Sequence, residues 1–79
     1  MGRKLYVGNL PYSVDQQALE TAFAEFGTVD SAKVISDRDT GQSKGFGFVE
    51  MSSDAEAQKA IQGMNGTDMG GRDVKVNEA

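Results

Sequence analysis

Lys44-Gly45-Phe46-Gly47-Phe48-Val49-Glu50-Met51 alternates at every step. Side chains along a strand point alternately to the two faces of a sheet. Lys44, Phe46, Phe48 and Glu50 therefore share one face, and Gly45, Gly47, Val49 and Met51 share the other. Phe in a strand is more often core than exposed. Burying Phe46 and Phe48 would, however, also bury Lys44 and Glu50 unpaired, at a cost of several kcal/mol each, and would turn Val49 and Met51 to water. The phase adopted puts Val49 and Met51 in the core and the two Phe rings outward.

Five further segments surround this strand. Lys4 to Leu10 alternates and reads as a strand, with Leu5 and Val7 inward and Lys4, Tyr6 and Gly8 outward. Asn9-Leu10-Pro11-Tyr12 turns the chain. Leu19, Ala22, Phe23 and Phe26 fall at i, i+3, i+4 and i+7, one stripe of an amphipathic helix. Its start is marked twice, by Ser13 with Gln16 at capping-box spacing and by Asp15 as an N-cap in its own right, and Gly27 ends it. Val29 to Ser36 reads as a second strand, with Ala32 and Val34 inward and Lys33 and Ile35 outward. A polar loop, Asp37 to Ser43, precedes the strand quoted first. Ser53 with Glu56 opens a second helix, whose stripe is Ala57, Ala60, Ile61 and Met64; Asn65-Gly66 closes it. After a Gly-rich connection comes a short last strand, with Val74 and Val76 inward and Lys75 and Asn77 outward.

The order is βαββαβ in two similar halves. It predicts an α+β, ferredoxin-like fold, a four-stranded antiparallel sheet with both helices on one face. The other face then carries Tyr6, Phe46 and Phe48 beside Lys4, Lys33, Lys44 and Lys75. Clustered aromatics on an uncovered sheet mark a binding surface, and nucleic-acid bases stack on such rings.

Composition bounds the alternatives. Seventy-nine residues allow one domain, 1–79, with a core at about 4–78. There is no Cys for a disulfide and neither Cys nor His for a zinc cage, so packing alone must hold the fold. No apolar run is long enough for a transmembrane helix or a signal peptide, so no membrane role is expected and the expected compartment is cytoplasmic, with the nucleus or an organelle as the alternative if the source is eukaryotic. The net charge of −4, from 8 Lys and Arg against 12 Asp and Glu, argues at face value against nucleic acid. The assigned face, however, holds four of the eight cations against Glu50 and Asp73, so the distribution of charge matters more than its total.

Lys44 to Met51 resembles the octamer of the RNA-recognition motif (RRM) family, with seven of eight positions fitting, and Leu5-Tyr6-Val7-Gly8-Asn9-Leu10 resembles its accompanying hexamer at every position. The two lie in the right order about forty residues apart. Ala57, Ala60 and Ile61, the Asn65-Gly66 turn and Gly71-Arg72 extend the likeness over nearly the whole chain. It is similar in flavour to short bacterial and cyanobacterial RRM proteins and to plant glycine-rich RNA-binding proteins. The resemblance implies single-stranded RNA as partner and, more weakly, single-stranded DNA. Tyr6 and Phe48 would each stack a base, Phe46 would pack on the sugars between them, and Lys44 would contact phosphate. Lys4, Lys33, Ile35, Lys75 and Asn77 would border the site. Asn9 is weighed between a structural role and RNA contact, and Arg38 would reach RNA from a mobile loop. Gly45 and Gly47 would let the strand pack closely on the helices. Met51 departs from the family's Phe or Tyr but faces the core. Family members often continue past this point into a basic or Gly-rich tail, which suggests a trimmed or minimal form.

Other signals are weaker. Asp37, Asp39 and Gly41 only faintly echo a calcium loop, Asn65-Gly66-Thr67 reads as a helix stop more than a sequon, and Gly45-x-Gly47 lacks the rest of a dinucleotide fingerprint. With no His, Cys or paired carboxylates in an acid/base arrangement, no enzyme, no cofactor and no metal are expected. A monomer is expected. The alternative is a protein-interaction module using the same platform or the acidic helical face.

Overall fold

The computed structural model describes residues 3–41 and 43–79; the side chains of Ser43 and Lys44 lie outside the described residues. The elements are β1 (Lys4–Gly8), α1 (Gln16–Phe23), β2 (Val29–Ser36), β3 (Ser43–Met51), α2 (Asp54–Met64), β4 (Asp68–Met69), β5 (Arg72–Asp73) and β6 (Lys75–Glu78). Four strands form one antiparallel sheet in the order β2-β3-β1-β6, and both helices pack on one of its faces.

Each helix begins with a side chain that takes up a free backbone N–H. Asp15, not Ser13, is the N-cap of α1; its Oδ1 accepts from the Ala18 N–H at 2.8 Å. Ser13 belongs instead to a turn in which the Val14 N–H donates to the Pro11 carbonyl. The helix tightens into a 3₁₀ turn over Ala24–Phe26 and stops at Gly27, whose φ of 152° disfavours any other residue. Ser53 caps α2, its hydroxyl accepting from the Glu56 N–H at 3.2 Å. Glu56 does not return the bond to the cap backbone as a capping box would. Its carboxylate instead accepts from the Thr28 N–H at 3.0 Å and from the Ser52 and Ser53 hydroxyls. It thereby joins the start of α2 to the chain entering β2.

Leu5, Val7, Leu10, Leu19, Phe23, Val49, Met51, Val74 and Val76 are fully buried, with Ala57 and Ala60 from α2 beside them. Burying one such large apolar side chain stabilises by about 1.5–3 kcal/mol, an upper estimate. Ala22, Phe26, Val34 and Ile61 pack at the margin. The strand phase inferred from alternation is the one observed.

Two features differ from expectation. Residues 68–73, read as a Gly-rich connection, form a small β4–β5 hairpin whose turn residues Gly70 and Gly71 have φ of 64° and 94°. Two positive-φ residues in a two-residue loop are what a type I′ hairpin requires. The glycines of β3 also serve a different neighbour from the one expected. A Cβ on Gly47 would strike the Lys33 carbonyl of β2, so its smallness is needed against the adjacent strand and not against the helices. Gly45, at φ 85°, lies beside the Leu10 carbonyl and the Tyr12 ring, and the β2–β3 register shifts between Val34 and Ser36. A left-handed residue at a register shift is the mark of a β-bulge.

Candidate nucleic-acid interface

Strand register lays the open face out in rows. Across β2, β3, β1 and β6, one row reads Lys33, Phe48, Tyr6, Asn77. The next, toward the bulge, reads Phe46, Gly8, Lys75, and the row on the other side reads Ser31, Glu50, Lys4. Tyr6 and Phe48 thus sit side by side in the middle of the sheet, with Phe46 diagonal to Tyr6.

The three rings form a triangle. Centroids are 5.9 Å apart for Tyr6 and Phe46, 6.0 Å for Tyr6 and Phe48, and 6.3 Å for Phe46 and Phe48. The last two pairs meet edge to face, the arrangement that ring quadrupoles favour. The rings are half-buried, less exposed than the alternation alone implies, because they cover one another. Gly8 has a part in this. A Cβ there would come within 2.7 Å of Tyr6 Cε1 and Oη, so the ring lies down over a position that must stay empty.

Cations surround the triangle. The Lys4 ammonium sits 5.2 Å from the Phe48 centroid, a cation–π contact. Lys33, Lys75 and Asn77 are exposed. Lys4, Lys33 and Ile35 line a hollow of about 330 Å³ beside Phe48, with Ser31 and Glu50. Glu50, whose row also holds Lys4, is 3.8 Å from Arg3, which is equally far from Asp30; Arg3 has no part in the sequence patterns. Lys44, assigned to phosphate, has its side chain outside the described residues.

Two residues stand apart from this set. Asn9 adopts φ 58°, which Asn tolerates better than most residues, and its side-chain amide donates to the Asp73 carbonyl at 2.8 Å. It ties the end of β1 to β5 in a structural bond. Arg38 is exposed in the β2–β3 loop and belongs to none of the paired rows just described. Hydrogen bonds close a turn around it. Asp37 Oδ1 accepts from the Asp39 N–H at 2.8 Å, and the Gly41 N–H donates to the Asp37 carbonyl at 2.8 Å.

Among the described residues no helix is long and apolar enough to cross a membrane, and no cluster of three or more potential metal ligands occurs.

Comparison with known proteins gives a consistent result. A family model described as the RNA recognition motif matches residues 5–75. The chain is 58% identical over 76 residues to the 29 kDa chloroplastic ribonucleoprotein of Arabidopsis thaliana, covering 96% of this chain and 22% of that protein. It is 53% identical over 75 residues to RbpA of Nostoc sp., a protein named for RNA binding, covering 95% of this chain and 74% of that one. The chain spans less than half the length of the chloroplast ribonucleoprotein and of the glycine-rich plant relative it also matches. Among solved structures, the RNA-binding protein PG1 superposes with a TM-score of 0.93 at 45% identity, covering 96% of this chain and 92% of that one. The RRM of Rna15 with bound RNA superposes with a TM-score of 0.91 at 28% identity, covering 100% and 84%.

Proposed function

The chain belongs to the RNA recognition motif family, and on that premise we propose that its open sheet face binds single-stranded RNA. It is a binding module and not an enzyme. The observation that supports this reading most directly is the triangle of Tyr6, Phe46 and Phe48 on the side of the sheet that no helix covers.

Two bases stack on Tyr6 and Phe48, and Phe46 packs against the sugars between them. Phe48 carries the Lys4 ammonium in the free protein. A cation–π contact at an exposed site is worth about 0.5–1 kcal/mol, and a base–aromatic stack about 1–3 kcal/mol. The base therefore displaces the ammonium, and Lys4 is freed to meet a phosphate. Lys44, Lys33 and Lys75 take further phosphates, while Asn77 and Ile35 border the bases. Asn9 stays with its structural bond, and Arg38 makes a peripheral contact at most.

Two stacks cannot give tight binding once the strand is ordered, so affinity is weak and sequence preference modest. Single-stranded DNA binds more weakly because it lacks the 2′-hydroxyl. Residues 1–79 act as one module and as a monomer. The cytoplasm is one setting for it, and the chloroplastic names of relatives point to an organelle as another.

The test is titration of isotope-labelled protein with short RNAs. Amide shifts should centre on Tyr6, Phe46 and Phe48, and Phe48→Ala should lose binding while keeping its fold. Shifts confined to the helices, with Phe48→Ala inert, would instead identify a protein-interaction surface.

A further inference from the structure

Tyr12 is the one large hydrophobic side chain among the described residues that stands exposed, at 66%. Its position is fixed from three sides. Leu10, two residues earlier, is buried and donates its N–H to the Gly45 carbonyl at 2.8 Å. Pro11 is buried against Gly70, where a Cβ would come within 3.1 Å of the proline ring. The turn from Pro11 to Val14 is closed by a backbone hydrogen bond. A ring carried by such a turn loses little freedom when a ligand stacks on it.

The surroundings of this ring suit a nucleobase. The Arg72 guanidinium lies 5.5 Å from the Tyr12 centroid and, among the described residues, is in no ion pair. Tyr12 also borders a hollow of about 310 Å³, to which Ser13, Gln16 and Ser36 contribute donors and acceptors for a base edge. Asp15 lines the same hollow, and its carboxylate disfavours a phosphate there. The ring stands beside Gly45, next in the chain to Phe46. Tyr12 therefore stands at the bulge end of β3, one residue along the chain from the platform's Phe46.

Building on the RNA-binding reading above, we propose that Tyr12 and Arg72 form an additional nucleotide subsite. One base beyond those on the platform stacks on the Tyr12 ring, and Arg72 neutralises the phosphate attached to it. The subsite makes the footprint longer than the platform, so short and long RNAs discriminate it.

The experiment is fluorescence anisotropy with random-sequence RNA trimer and hexamer pools. Wild-type protein, Tyr12→Ala, Arg72→Gln and Phe48→Ala are compared, and melting curves check each fold. Tyr12→Ala should weaken hexamer binding about tenfold, the effect of losing one base–aromatic stack, and leave trimer binding unchanged. Arg72→Gln should weaken the hexamer by less and flatten its salt dependence. In wild-type protein the ring protons of Tyr12 should move upfield on adding hexamer and not on adding trimer, a readout that needs no variant. If Tyr12→Ala binds hexamer as wild type does while Phe48→Ala binds neither RNA, the subsite is overturned and the platform reading stands. If Phe48→Ala keeps wild-type affinity for both pools, the platform reading falls and the subsite with it.

Discussion

Single positions decide how flat the aromatic platform can be. Gly8 is the clearest of them, because the Tyr6 ring lies where a methyl group would stand. Gly8→Ala is expected to lift that ring and weaken RNA binding about three- to tenfold, a part of one stack. The ring can swing into solvent, so the melting temperature should hardly move. An unchanged RNA titration curve for this variant would show that the resting position of Tyr6 is unimportant. Gly63 poses the opposite question. It sits in α2, and a Cβ there would meet the Phe26 ring at Cζ, 2.6 Å away. Gly→Ala in a helix normally gains about 1 kcal/mol, but overpacking costs about 1–3 kcal/mol. Gly63→Ala should therefore melt at the same temperature as wild type or below it, and a clear rise would mean that Phe26 yields freely.

At the scale of elements, the junction of α2 with β2 depends on a charge. The Ser52 hydroxyl and then the Thr28 backbone N–H favour the ionised form of Glu56 and hold its carboxyl below the usual 4.5; desolvation opposes them, and Ser53 and Lys59 add lesser support. A carboxyl lowered on folding contributes stability that is complete above its unfolded value and is lost as pH falls through its folded value. Melting temperatures of wild type and Glu56→Gln should thus differ most above 4.5 and converge below it; a constant gap across that range would remove the charge from the explanation. This junction also marks a limit of what the chain sequence discloses. Ser53 and Glu56 announce a helix start by their spacing, but nothing local indicates that Glu56 bonds across to Thr28, because that contact depends on the fold. The strand phase was legible because Lys44 and Glu50 made the wrong phase costly. The β4–β5 hairpin was legible in principle from the Gly70-Gly71 pair, a two-residue turn signal, yet each strand is too short to alternate. The need for Gly47 beside β2 was not legible, since strand pairing in the sheet decides which backbone it faces. In the site, the aromatic triad and its lysines followed from alternation, whereas the exposed, Arg-stacked Tyr12 looked like an ordinary turn residue.

Taken whole, the molecule carries −4 while its open face carries cations. Asp15, Glu20, Glu25 and Asp54 are exposed on the helical side, away from the rings. With at most four phosphate partners on this face, Lys4, Lys33, Lys44 and Lys75, the logarithm of the affinity of Arg72→Gln for a hexamer should fall against the logarithm of salt concentration with a slope no steeper than about −2.8. A slope near −6 would require cations beyond this face. The bulges in the sheet have a further consequence, for self-association. β2 is one edge of the sheet and offers eight residues of backbone to a neighbouring chain, while the opposite edge, β6, offers four. The register of β2 breaks between Val29 and Ser31 and again between Val34 and Ser36. Such breaks bend the edge away from a straight partner strand, and the exposed Asp30 and Lys33 add charge to it. The irregularity that seats Gly45 beside Tyr12 thus also disfavours edge-to-edge growth of the sheet, so the rings remain available to a ligand at high protein concentration.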